Sequence, residues 1–182
     1  MLMSTMQPNR ILAVEIRAAR LGYAVLEAPK QLRDFGAMLF PSSKTARRCI
    51  ARLLRLYNPS VLVLHGAGSR YPRNMRSRKR TSRIARGEAT KIAVPVALVS
   101  DRSFKSFFER HSCRDKYAVA ATVARWFPVL AWRVPPMPRF YDPEPRQMIY
   151  FDSIALGLVY LECIREAGQR DTGGGILSSA SK

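Results

Sequence analysis

Acidic residues are scarce in this chain: 13 Asp and Glu stand against 31 Lys and Arg in 182 residues, a formal charge of +18. A charge of that size has to be tolerated by a polyanion or used on one. No apolar run approaches the roughly 20 residues of a membrane-spanning helix, which excludes a helical span. No amphipathic basic helix stands apart from the core either, so lipid headgroups rank well behind nucleic acid as the polyanion. The opening residues, Met1 to Pro8, lack the apolar stretch of a secretory signal, and a cytoplasmic location is expected. Cysteine is sparse and odd in number. Cys49, Cys113 and Cys163 lie far apart, which excludes a disulfide framework and a zinc cluster and implies reduced thiols. Internal repeats are absent.

Hydrophobic residues make up 47% of the chain, ample for one packed domain and too much for general disorder. Residues 10–167 read as that domain, 1–9 as a flexible N-terminus and 168–182, with Gly173-Gly-Gly175, as a disordered tail. Apolar runs at 11–15 and 21–27 predict two strands joined by a short hairpin. A third run, Asp34 to Phe40, follows the turn at Ala28-Pro-Lys30. Pro41-Ser-Ser43 then offers capping hydroxyls to a helix. In that helix Ala46, Cys49, Ile50, Leu53, Leu54 and Tyr57 fall on one stripe, with arginines off it. Asn58-Pro59 stops the helix, and Val61 to Leu64 has the continuous apolar character of a buried parallel strand.

The most charged stretch comes next. Between Ala67 and Lys91 nine basic residues (Arg70, Arg73, Arg76, Arg78, Lys79, Arg80, Arg83, Arg86 and Lys91) meet one acid, Glu88. Nine minus one is +8, close to half the net charge, placed immediately after a strand. Phosphate contact is the expected role, first from a loop and then from a helix over about 77–92. Residues 93–99 predict a strand whose Pro95 points to a sheet edge. Asp101 or Ser103 is the expected cap of a short helix whose Phe104, Phe107 and Phe108 have core spacing. A helix over 115–127 follows, with Tyr117, Ala120, Ala121, Ala124 and Phe127 as its apolar side. The last helix is expected over about 148–167.

Three polar groups interrupt this apolar frame at the ends of predicted elements. Glu15 closes the first strand, His65 closes the run from Val61, and Asp152 sits near the start of the last helix. Ionisable groups at a sheet rim sit where ligands and metals gather. Convergence of the three at one rim is expected, despite separations of 50 and 87 residues.

The order and spacing of these pieces resemble a known family. Arg10-Ile-Leu-Ala-Val-Glu15 followed by Leu21-Gly-Tyr-Ala-Val-Leu26, then Pro59 to His65, Val94 to Ser100 with Lys105, the helix beginning Asp115-Lys116, and Phe151-Asp152-Ser-Ile-Ala-Leu all match. Over residues 10–164 the chain is similar to the RuvC-like branch of the ribonuclease-H-like superfamily, best known for Holliday-junction endonucleases. The resemblance implies an α/β fold: a mixed sheet of three early antiparallel strands, then parallel strands, covered by helices. It also implies nucleic acid as partner, DNA ahead of RNA, with Lys105 joining the basic segment in contacting it. A homodimer is implied too, since related resolvases pair on a two-fold symmetric substrate.

Carboxylates of that family hold two Mg²⁺ ions at positions that fall here on Glu15, His65 and Asp152, which makes these the candidate catalytic and metal residues. Two positions depart from the pattern. Glu15 replaces Asp with a longer arm, and His65 replaces Glu with a neutral nitrogen ligand. A further ligand position falls on Ile149, which cannot bind metal; Asp142 and Glu144 lie upstream as potential substitutes. Two readings follow. In one, the protein binds nucleic acid and its cleavage chemistry is weak or lost. In the other, it is an endonuclease using Mg²⁺ or Mn²⁺ in an altered site, with His65 as ligand or base. A sugar-kinase or actin-like ATPase would need about twice the length and glycine-rich phosphate loops.

Overall fold

Five strands and five α-helices make up the computed structural model of the protein, which describes residues 10–66, 75–137 and 144–173. Strands β1 (Arg10–Ile16), β2 (Arg20–Glu27) and β3 (Gln31–Leu39) form an antiparallel meander. Strands β4 (Val61–His65) and β5 (Val96–Val99) then add in parallel beside β1, giving the order β3-β2-β1-β4-β5. The mixed ribonuclease-H-like sheet expected from the sequence is therefore present, with β1 at its centre.

Alternation along β1 sorts its side chains into two cores. Leu12, Val14 and Ile16 face α1 (Ser43–Tyr57) and α2 (Met75–Lys91). Ile11 and Ala13 face the other layer, built from α3 (Asp101–Arg110), α4 (Lys116–Trp126) and α5 (Met148–Gly173). The α1 stripe behaves as its spacing predicts, burying Ala46, Ile50, Leu53 and Leu54. Each of its larger side chains contributes about 1.5–3 kcal/mol by leaving water. Ser42 caps its first turn by accepting from the Thr45 amide, and Asn58, at φ 41°, ends it in the left-handed conformation that asparagine tolerates. Phe104, Phe107 and Phe108 are buried as expected.

Five local readings change, the first being that β3 begins at Gln31, directly after the turn, and ends at Leu39, before Phe40. Strand β5 begins at Val96, after Pro95, because proline has no N–H for the ladder; the Pro95 carbonyl still accepts from the Leu62 amide at 2.9 Å. The cap of α3 is Ser100, one residue before Asp101. On α4 the buried side includes Val119 and Val123, whereas Ala121 is exposed, because the bulkier valines bring more apolar area to the packing against α5. Helix α5 continues past Ala167 to Gly173. Its middle lies hard against the sheet at Gly157, where a Cβ would come within 2.5 Å of Leu26 Cδ1. Arg70, Arg73 and Asp142 lie outside the described residues, as do 1–9 and 174–182. No helix among the described residues is long and apolar enough to cross a membrane.

Candidate functional site

Parallel pairing of β1 with β4 matches Ile11 with Val61 and continues through Val14 with Leu64. One step further along, Glu15 and His65 lie side by side at the C-terminal ends of the two central strands. Both share the parity of Ala13 and Val63, so both turn toward the α5 layer. Their side chains meet there, with His65 Nε2 3.4 Å from Glu15 Oε2. On its other side His65 Nδ1 stands 3.7 Å from Asp101 Oδ1, and its ring packs 5.3 Å from that of Phe104.

Asp152 reaches the same place from the start of the second turn of α5. The first turn of α5, just before it, comes in close because β2 carries Gly22 opposite Glu15. A Cβ at Gly22 would lie 2.5 Å from the carbonyl oxygen of Ile149 and 2.8 Å from its Cγ1. Glycine there lets the helix start rest on the backbone of β2, and Ile149 is fully buried against it.

Three basic side chains are already seated among these acids. Arg17, just past the end of β1, uses Nη2 to donate both to Asp152 Oδ2 and to Glu144 Oε1, the latter at 2.8 Å. Lys116, from the first turn of α4, holds the other oxygen of Glu144 at 2.9 Å. Arg78 comes from α2 on the opposite face and reaches over the sheet end to Glu15 Oε1 at 3.2 Å. Glu15, Glu144 and Asp152 are thus each ion-paired with at least one of Arg17, Arg78 and Lys116. Glu15 is only 2% exposed, so an unmatched charge there would be costly. Burial, and next the neighbouring charge of Glu15, push the Asp152 carboxyl up to about 6 against the pull of Arg17. For Glu144 burial is outweighed by Lys116 and Arg17, which hold it below the usual carboxylate range.

As arranged, these side chains do not make a metal cage. A divalent ion needs converging oxygens or nitrogens with lone pairs to spare. Here guanidinium groups lie on both candidate carboxylates, and no group of three or more His, Cys, Asp or Glu among the described residues could hold a metal. In this arrangement the side chains neutralise and position one another.

The basic segment splits in two roles. Arg76, Lys79, Arg80, Arg83 and Arg86 of α2 are exposed, as is Lys105 of α3, which lies 3.6 Å from Glu109. Arg78 points inward and is 13% exposed. Of the residues sequence reasoning missed, Arg17 had a signal. It lies two positions after Glu15, hence on the same side of an extending strand. The inward turn of Arg78 and the pairing of Lys116 with Glu144 had none.

No protein-family model and no curated protein sequence matches the chain. Solved structures do. RuvC of Thermus thermophilus aligns at a TM-score of 0.65 and 15% identity, covering 87% of this chain and 96% of that one. The same protein in complex with a Holliday junction substrate aligns at 0.63 and 15%, covering 86% and 95%. The yeast mitochondrial Holliday junction resolvase aligns at 0.56 and 11%, covering 92% and 88%. The fold of this chain is RuvC-like.

Proposed function

We propose that this protein binds nucleic acid, DNA ahead of RNA, through the basic face of α2, and that its phosphodiesterase chemistry is weak or lost. The ion pairing of Glu15, Glu144 and Asp152 with Arg17, Arg78 and Lys116 carries this reading. Two-metal hydrolysis needs cations with open positions for the attacking water and the leaving oxygen. A guanidinium supplies charge but no such position, and it keeps its proton at any working pH. The RuvC-like fold supports DNA as the polyanion, since a solved protein of this fold is in complex with a Holliday junction substrate. Five cations along α2 provide the electrostatic grip such binding needs.

A second reading draws on the meeting of Glu15 and His65 at 3.4 Å beside Asp152. It makes the protein an endonuclease using Mg²⁺ or Mn²⁺, with His65 as ligand or base, and requires Arg17 and Arg78 to leave the carboxylates. Titrating the full chain against a four-way junction, duplex and single-stranded DNA, and RNA, with Mn²⁺ or with chelator, separates the two. Salt-dependent binding in chelator without product above background in Mn²⁺ is expected. Metal-dependent cleavage that disappears in His65→Ala would establish the second reading instead.

A further inference from the structure

Between α2 and the ends of β1 and β4 lies a cleft of about 480 Å³ that shares His65 and Arg78 with the carboxylate cluster and extends beyond it along α2. Its volume falls in the ordinary range of small-ligand sites, about 300–1,000 Å³. The floor is apolar, formed by Val14, Ile16 and Leu64. The wall is cationic: Lys79, Arg83 and Arg86 recur at i, i+4 and i+7, one stripe of α2 extending about 10 Å along the helix axis. No carboxylate is among the described residues lining it.

An apolar floor beneath a cationic wall selects a flat, weakly polar body that carries negative charge at its edge. A purely apolar ligand would leave the cations unused, and a duplex face presents phosphates but keeps its bases stacked inside. A second copy of this chain is a poor occupant, because it would bring another +18 to the same wall. We infer that the cleft takes an unstacked nucleobase of a nucleic-acid strand, with the flanking phosphates on Lys79, Arg83 and Arg86. The inference rests on the nucleic-acid reading above and sharpens it, giving single-stranded segments an advantage over perfect duplex.

A short single-stranded DNA carrying 2-aminopurine tests this on the full chain. The fluorescence of 2-aminopurine is quenched by neighbouring bases, so lifting it out of the stack onto an aliphatic floor should raise the signal. Ser82→Trp places an indole in the cleft; Met75→Asp, at a lip position that is 42% exposed, puts a negative charge there without added bulk. Both should abolish the rise and weaken single-strand binding about tenfold, with duplex affinity at low salt unchanged for Ser82→Trp. If the parent binds single strand and duplex with steep salt dependence but gives no rise, the cleft assignment is overturned and the nucleic-acid reading stands. If neither strand form binds, that underlying reading fails as well. If free 2-aminopurine deoxyribonucleoside monophosphate binds as tightly as the strand, the occupant is a free nucleotide and the strand assignment is overturned.

Discussion

Arg17 and Asp152, 135 positions apart in the sequence, are ion-paired at the end of the central strand, and the same arginine nitrogen holds Glu144. One residue beyond β1 thereby ties the start of α5 and the segment before it to the sheet. The pair is partly buried, with side chains 18% and 15% exposed.

Arg17→Met should destabilise the protein toward the lower end of roughly 3–5 kcal/mol, because it leaves Asp152 without its paired guanidinium while Glu144 keeps Lys116. The loss should depend on pH with a definite sign. Asp152 already holds its proton up to about 6, and without Arg17 it holds it higher still. The deficit is then smallest at pH 5, where both proteins hold the proton, and grows as pH rises past 6 toward the variant's own higher pKa. Urea unfolding of both proteins at the two pH values checks this; a deficit independent of pH would show that Arg17 is not the counter-ion.

Removing both guanidiniums should open the carboxylates to a divalent ion. In Arg17→Ala/Arg78→Ala, Mn²⁺ should raise the melting temperature, with stabilisation of about 2.7 kcal/mol when the ion is at about 100 times its Kd. The parent should not respond. An equal shift in the parent would mean that the arginines yield to metal and would favour the endonuclease reading.

Neutralising Arg76, Lys79, Arg80 and Arg83 to glutamine should lower DNA affinity and flatten its salt dependence. The slope should fall by about 0.9 log unit for each phosphate that the protein no longer neutralises. Arg78→Gln should behave differently, costing stability with little change of slope, since its guanidinium faces Glu15. Fluorescence anisotropy over a salt series, beside a thermal melt, distinguishes the two classes.

Gly22→Ala should cost about 1–3 kcal/mol, because the new methyl would press on the backbone of Ile149. The damage should reach the site, since Asp152 lies one turn further along the same helix. Its signature is a lower melting temperature that adding Arg17→Met worsens by less than the sum of the two single effects.

His111 packs edge-on against Phe107 and Trp126, and burial, followed by the nearby Lys30 and Arg110 charges, lowers its pKa from the ordinary value. The unfolded chain therefore takes up a proton more readily than the folded one, and stability falls as pH drops below about 6.5. His111→Gln should remove that part of the acid sensitivity. Melting curves between pH 7.5 and 5.5 should show a smaller drop in the variant than in the parent.

Much of the architecture could be read from the order of residues alone, because it depends on local periodicity. The alternation of β1, the stripe of α1 and the spacing of Phe104, Phe107 and Phe108 each specify which side meets the core, and the folded chain obeys them. The rim positions of Glu15, His65 and Asp152 follow from the same logic, since each ends or begins an element. What lies among them does not. Arg78 belongs to a run of nine basic residues in which nothing local distinguishes it. It turns inward because α2 packs on the far face of the sheet, with that one side chain over the strand ends. Lys116 and Glu144 meet only because α4 and the segment before α5 are brought together in space. Charge pairing acts through distance in space, and sequence separation carries no record of that distance until the chain has folded.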